Sequence, residues 1–389
     1  MARADPKVSI AEPKPAPNLE ALSQEVDDSV ALRSTRGPLL ENATLGLREY
    51  WYPALRSRDI RRKPRAVKLL GEELVFVRAE DKPYALRDRC AHRGMVLSRG
   101  ICLAEGTLTC PYHGWTFDVA TGELVAALTD GPESSAVGKR GKLVPTYPVE
   151  ERKGIVYVYM GRGEPPPLEE DVPEELIDPA YVQGLVTNEW ASNWRAAVEN
   201  GHDAAHAPMV HMNSLRWRAS LGVSPAWYGH VDNIVEDKYL YRRPRQVGGA
   251  AEYPRIGRWP RYSWLRRLIQ RPRRGRDGRI TNSFRLPSMI RNTYSGYAMV
   301  RWVVPIDEKT CRNFMFLTGK ANGLARLGWL LSYWLWHRWV FCKWFTAQDQ
   351  NIVEHLDYLA PEILFRPDSS IVGLRKYIET NARTSKMEG

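Results

Sequence analysis

A chain of 389 residues with 43% apolar residues has room for two domains with sizeable cores, and its composition excludes general disorder. The formal net charge is +11, and no stretch reaches the roughly 18 charge-free apolar residues that a membrane-spanning helix needs. The five cysteines (90, 102, 110, 311 and 342) are odd in number and scattered. That usage suits metal ligation in a reducing compartment better than a disulfide framework, so a cytoplasmic location is expected.

In chain order, residues 1–40 are rich in Pro and acids, lack an apolar core and read as a loose arm rather than a signal peptide. LGLREYWYPA is an amphipathic lead-in to a unit over 41–165. From Arg65 to Met160, short alternating runs such as AVKLLGEELVFVRA and LVPTYPVEERKGIVYVYM are broken by Gly, Asp and Pro. This punctuation predicts a small antiparallel sandwich or barrel. GRGEPPPLEEDVPEEL reads as a Pro- and acid-rich linker into a second unit over 166–389. There Trp194 to His206 predicts a helix, NIVEDKYLY, SGYAMVRWVVPI and CRNFMFLTG predict strands, and 323–360 predicts more helix. The fold class is therefore α+β, an all-β module followed by a mixed one.

Two constellations carry chemistry. In the first, Cys90-Ala91-His92 is followed by Cys110-Pro111-Tyr112-His113, each half offering one thiolate and one imidazole. Two Cys on one iron and two His on the other is the ligand set of a Rieske [2Fe–2S] cluster. Gly94 and Gly114 follow the two loops, where backbone must approach the sulfurs closely. A Cys₂His₂ zinc site is the competing reading, but such sites usually pair Cys with Cys and His with His along the chain.

The second constellation is Asp203, His206 and His211 in ENGHDAAHAPMVH. Residues 203 and 206 share a helix face. On an unbroken helix His211 would point about 140° away from His206. Pro208 is expected to break the helix and let it swing back. Two imidazoles need one carboxylate to complete the facial triad of a non-haem Fe(II) site. FTAQDQNIVEHLDYL offers Asp349, Glu354 and Asp357, of which Asp349 is preferred if Phe345, Ile352 and Val353 mark the buried side. His202 faces elsewhere, and His230, His337 and His355 have no partner pattern.

With these ligand sets in this order, and with RDRCAHRG, KLVPTYPVEERKG, GEPPPLEED and NWRAAVENGHD around them, the chain resembles the catalytic α subunits of Rieske ring-hydroxylating oxygenases from about Leu45 to Lys376. The resemblance implies a Rieske domain followed by a helix-grip domain, in which a curved antiparallel sheet surrounds a C-terminal helix. It implies Cys90, His92, Cys110 and His113 as cluster ligands, and His206, His211 and Asp349 as ligands of a mononuclear iron. Asp203 would link a neighbouring subunit's Rieske His to His206, and Asn200 would be a polar residue beside the iron. A homotrimer, a ferredoxin or reductase donor drawing on NAD(P)H, O₂ and an apolar or aromatic substrate are the implied partners. The implied reaction is dioxygenation, monooxygenation or oxidative N- or O-dealkylation. An electron-transfer protein without catalysis is the alternative, but it would need neither the second constellation nor the second unit.

Two segments match nothing in the family pattern. Between Arg255 and Arg279 stand ten arginines and one acid, Asp277. Such a patch could dock an acidic ferredoxin; without a helix-turn-helix, zinc finger or stacking platform, nucleic acid is not expected. GLARLGWLLSYWLWHRWVFCKWF carries five tryptophans. It is read as a helix packed over the pocket entrance, with an interfacial membrane helix as the alternative.

Overall fold

The computed structural model describes residues 36–384 apart from 61–62, 139–140, 204, 212–230, 245–281, 295–296 and 365–367. The arginine-rich segment 255–279, His230 and most of the N-terminal arm lie outside the described residues.

A short helix, α1 (Pro38–Asn42), leads into ten strands that form three small antiparallel sheets. They are β1 (Trp51–Arg56), β2 (Arg65–Leu69), β3 (Glu72–Ala79), β4 (Lys82–Arg87), β5 (Thr107–Thr109), β6 (Trp115–Asp118), β7 (Leu124–Ala127), β8 (Thr146–Tyr147), β9 (Val149–Arg152) and β10 (Ile155–Tyr159). The sheet orders are β1-β10-β9, β2-β3-β4-β8 and β5-β6-β7. The alternation read in the sequence becomes burial here. Val75, Val77, Leu86, Leu108, Phe117 and Val144 close a core around the Cys90 and Cys110 loops.

The acid-rich segment after β10 is no slack linker. Leu168, Val172 and Leu176 are buried in the main core, and a short helix, α2 (Glu174–Ile177), forms within it. Asp171 accepts from the Trp51 amide at 2.9 Å and pairs with Arg383 at 2.6 Å. The prolines limit the chain's freedom, while the apolar residues between them bind the segment down.

The second unit is a seven-stranded antiparallel sheet. Its strands are β11 (Tyr181–Trp190), followed after two helices by β12 (Val231–Glu236), β13 (Tyr239–Pro244), β14 (Asn282–Arg285), β15 (Met289–Tyr294), β16 (Tyr297–Pro305) and β17 (Cys311–Lys320). Their order is β11-β17-β16-β15-β14-β13-β12. The sequence reading anticipated β12, β13, β16 and β17 and passed over β11, β14 and β15. The two helices are α3 (Trp194–His202) and α4 (Ala207–Val210). A long helical run then comprises α5 (Gly323–Ser332), π-helical turns at Tyr333–His337 and Val340–Phe345, and α6 (Thr346–Val353); α7 (Ser369–Asn381) closes the fold. Helix α3 lies against β14, β15 and β16 and against α6 and α7. Sheet and C-terminal helices thus hold α3 between them, and the C-terminal α7 itself packs on β12 and β13, as expected for a helix-grip fold.

One core runs through both units, from Leu40 through Tyr157 and Trp302 to Ile378. The β2–β3 hairpin turn docks on the catalytic sheet, where Leu70 N donates to Pro305 O at 2.8 Å and Gly71 N to Ile306 O at 3.0 Å. Among the described residues, no helix is long and apolar enough to cross a membrane.

Candidate functional site

The two Cys/His loops repeat one backbone design. In each, the Cys amide donates to the carbonyl five residues on (Cys90 to Met95 and Cys110 to Trp115, both 2.8 Å). The glycine four residues on closes the loop by donating back to the Cys carbonyl, Gly94 at 2.9 Å and Gly114 at 3.1 Å. Both glycines need left-handed backbone, with φ of 72° and 64°. A side chain at Gly94 would meet open space, whereas one at Gly114 would come within 2.8 Å of Leu128.

This geometry sorts the four side chains. Both thiols are buried and adjacent, with Cys90 3% and Cys110 2% exposed. Burial, with the neighbouring Cys110, pushes the Cys90 thiol up to about 11. A thiolate there calls for a metal cation to compensate it. The imidazoles of His92 and His113 lie together at the surface, ring centroids 4.7 Å apart, and His92 stacks on Trp115 at 4.8 Å. Paired thiols inside and paired imidazoles outside fit a Rieske cluster, in which one iron takes sulfur and the other nitrogen.

The second constellation departs from its expected local form. Helix α3 ends at His202 rather than reaching His206, because Asp203 takes extended backbone (φ −63°, ψ 130°). The Asp203 carboxylate then accepts from the amides of Ala205 (2.7 Å) and His206 (3.2 Å). Pro208 sits in the first turn of α4, where its missing N–H costs nothing, so it helps start a helix instead of breaking one. His206 and His211 flank this single turn, and their rings meet edge to face at 5.4 Å.

Helix α6 brings Asp349 to them across the core. Ligand atoms of His206, His211 and Asp349 all lie within 4.8 Å of one another. Asp349 Oδ1 is 3.4 Å from His206 Nε2 and 3.2 Å from His211 Nε2. It is buried without an aligned hydrogen-bond donor among the described residues. The other nitrogens are tied back, His206 Nδ1 at 3.1 Å from the Asp203 carbonyl and His211 Nδ1 at 3.0 Å from Gln348 Oε1. Three ligand atoms turned toward one point, with each imidazole oriented from behind, suit a facial iron triad. Burial disfavours charge on Asp349, but the two imidazoles outweigh it and hold the carboxyl well below its usual range. Burial likewise opposes a charged His206, yet Asp203 and Asp349 raise it to about 9.

Several supports were not anticipated. The Arg301 guanidinium, 5% exposed, lies 4.0 Å from Asp349 Oδ2 and donates to the Ala197 carbonyl at 2.6 Å. Gly201 leaves room for it, since a Cβ there would fall 2.2 Å from Arg301 Nη2. Arg242 donates to the His202 carbonyl at 2.6 Å, and its charge helps hold Asp203 ionised. Phe345 stacks on His211 at 3.8 Å. An arginine inside the apolar run AMVRWVVP was the available signal for Arg301; Arg242 and Gln348 left none.

The remaining candidates separate. Asn200 is outside the converging trio, its Oδ1 buried with no partner among the described residues. His202 is fully buried against Phe284, its charged form suppressed by burial and by Arg242. His337 packs on Phe341, and His355 Nδ1 lies 2.7 Å from the Asn351 carbonyl. Of the residues expected to mark the buried side of α6, Val353 is buried but Ile352 is 49% exposed. Within this regular helix Ile352 falls about 60° to one side of Asp349 and Val353 about 40° to the other, so the buried face takes Val353 and leaves Ile352 outside.

Residues 50–148 match the family described as Rieske [2Fe-2S] domain, and residues 159–238 match the family described as homotrimeric ring hydroxylase. The terminal oxygenase component of carbazole 1,9a-dioxygenase from Metapseudomonas resinovorans is 33% identical over 384 residues, covering 90% of this chain and 95% of that protein. The Sphingomonas counterpart is 40% identical over 212 residues, about half of each chain. Methylxanthine N3-demethylase from Pseudomonas putida is 28% identical over 362 residues, covering 87% and 90%. The solved reduced complex of oxygenase and ferredoxin in carbazole 1,9a-dioxygenase superposes with a TM-score of 0.73 at 29% identity, covering 92% of this chain and 95% of that one.

Proposed function

The chain belongs to the Rieske ring-hydroxylating oxygenases and is a terminal oxygenase with a [2Fe–2S] cluster and a mononuclear iron; from that premise we propose which residues hold each group and what the site does. Cys90, Cys110, His92 and His113 hold the cluster, and His206, His211 and Asp349 hold the iron. The observation that carries this reading is the convergence of two Nε2 atoms and a buried carboxylate within 4.8 Å, in a chain that also pairs two Cys/His loops.

When bound, the cluster supplies single electrons and the iron supplies open coordination positions for O₂. The protein's own part is placement. The surface edge formed by His92 and His113 gives electrons a way in and out. A head-to-tail ring of three copies closes on itself and would bring that edge to the next copy's Asp203. Asp203 accepts the His206 amide and lies 3.7 Å from His206 Nδ1, so it ties the arriving histidine to an iron ligand. Asn200 adds a buried polar atom from the last turn of α3, just before Asp203. Phe345 excludes water from one face of His211. The substrate is an apolar or aromatic small molecule, the donor a ferredoxin or reductase fed by NAD(P)H, and the five unpaired cysteines suit a reducing compartment such as the cytoplasm.

The test is metal and sulfide analysis with an absorption spectrum, on wild type and His206→Ala. Wild type is expected to hold about three irons and two sulfides per chain, and His206→Ala to lose about one iron with the cluster spectrum intact. Two irons and two sulfides in both proteins would leave a bare electron carrier. Zinc without colour would remove both assignments.

A further inference from the structure

Helix α5 and the π-helical turns after it are apolar on both faces, but the sheet covers only one. Tyr333, Phe341 and Cys342 pack inward on Val186, Met299 and Met315. Gly184 makes this possible, because a Cβ there would strike the Tyr333 ring at 2.2 Å. The opposite face carries Leu327, Leu331, Trp334, Leu335, Trp339 and Trp344, each more than half exposed. A helix that is apolar all round is normally covered all round. A contiguous apolar face of this kind marks an interaction site.

The charges around the face indicate what covers it. From Gly323 to Gln348 there is no Asp or Glu, while Arg326, Arg338 and Lys343 are present. Two of these cations lie over indoles. Arg338 is 4.6 Å from the Trp334 ring and 5.7 Å from Trp339, and Lys343 is 4.4 Å from Trp339. Tryptophan bodies with basic groups drawn along them suit the boundary between lipid headgroups and acyl chains. The run cannot cross a bilayer, so it would lie along one.

We propose that the outward face of residues 324–344 docks the protein on an anionic bilayer, with the leucines and tryptophans in the interfacial layer and Arg326, Arg338 and Lys343 on acidic headgroups. The same helical run continues to Asp349, so the docked face adjoins the iron site. The substrate class is then a lipophilic molecule drawn from the membrane. That last step rests on the oxygenase reading; the docking itself does not.

The test is flotation of the holoprotein with vesicles of phosphatidylcholine alone, or with about 30% phosphatidylglycerol, alongside size-exclusion chromatography without lipid. Wild type is expected to float with the anionic vesicles, with a blue shift of tryptophan emission, and to bind neutral ones at least about tenfold more weakly. The L331D/L335D variant should lose flotation while keeping the cluster spectrum and the wild-type elution volume. R338Q/K343Q, which leaves the apolar face in place, should lose the preference for anionic lipid. Flotation unchanged by either variant, or its absence in wild type, overturns the proposal. A smaller particle for L331D/L335D would overturn it too, since the face would then be a contact between copies. Iron and sulfide contents read the oxygenase assignment separately from any of these outcomes.

Discussion

The loops proposed to hold the cluster and the site proposed to hold iron both bring two imidazoles together, yet they are built in opposite ways. Each cluster loop is closed by its own backbone, Cys carbonyl to Gly amide, within five residues. The iron site joins a single turn around α4 to α6, more than a hundred residues later, and steadies both with arginines from β13 and β16. A local site should tolerate distant substitutions and register changes chiefly at its own glycines. A site assembled across the core should respond to residues that touch no metal.

The largest expected effect is at Asp349. Asp349→Ala should lower turnover by more than about 100-fold and release the mononuclear iron, with the visible spectrum of the cluster unchanged. Loss of the spectrum as well would mean that the two sites are not independent, which breaks the contrast. Next is Asp203→Asn, which keeps size but removes the charge. It should retain both metals by iron analysis and lose about 100-fold in steady-state turnover; normal turnover in a fully loaded sample would remove its linking role.

Arg301 sharpens the contrast further, since it lies 4.0 Å from the carboxylate ligand and reaches it only past Gly201. Arg301→Met should weaken iron retention about tenfold, measured by chelator competition, because the Asp349 carboxylate loses its fixed orientation. Gly201→Ala should do the same by displacing the guanidinium. Equal iron retention in both variants and wild type would show that the site does not depend on this distant support.

The smallest effects belong to the glycines of the local site. Gly114→Ala combines positive φ with a 2.8 Å approach to Leu128 and should cost about 2 kcal/mol in chemical denaturation. Gly94→Ala has the same backbone strain without the clash and should cost about 1 kcal/mol. Equal costs would mean that Leu128 yields freely and that φ alone sets the design.

Much of this was legible because the cluster motif is local: ligand identity, spacing and the following glycine all fall within one short stretch. The small sheets were legible too, since alternation reports burial directly. Strands β14 and β15 were missed because they read as NSFR and MIRNTY, where polar residues interrupt the apolar alternation; Asn282, for one, is bonded to the Gly201 carbonyl and to Asn292 on the next strand. The three residues proposed to hold iron were picked out by residue type and the fold brings them together, but the reason for their geometry was misread. Asp203 ends the first helix by leaving helical backbone and accepting the Ala205 and His206 amides, and Pro208 opens the turn that follows.

The sequence by itself determined which side chains can ligate a metal and that a β module precedes a mixed one. These depend on residue type and short spacing, which the chain carries locally. The tertiary structure alone decided that Arg301 and Gln348 orient the triad, that the acidic segment after β10 is part of the core, and that one face of the tryptophan-rich helix stays uncovered. Those outcomes depend on which surfaces meet across the core, and no local pattern of residues encodes that.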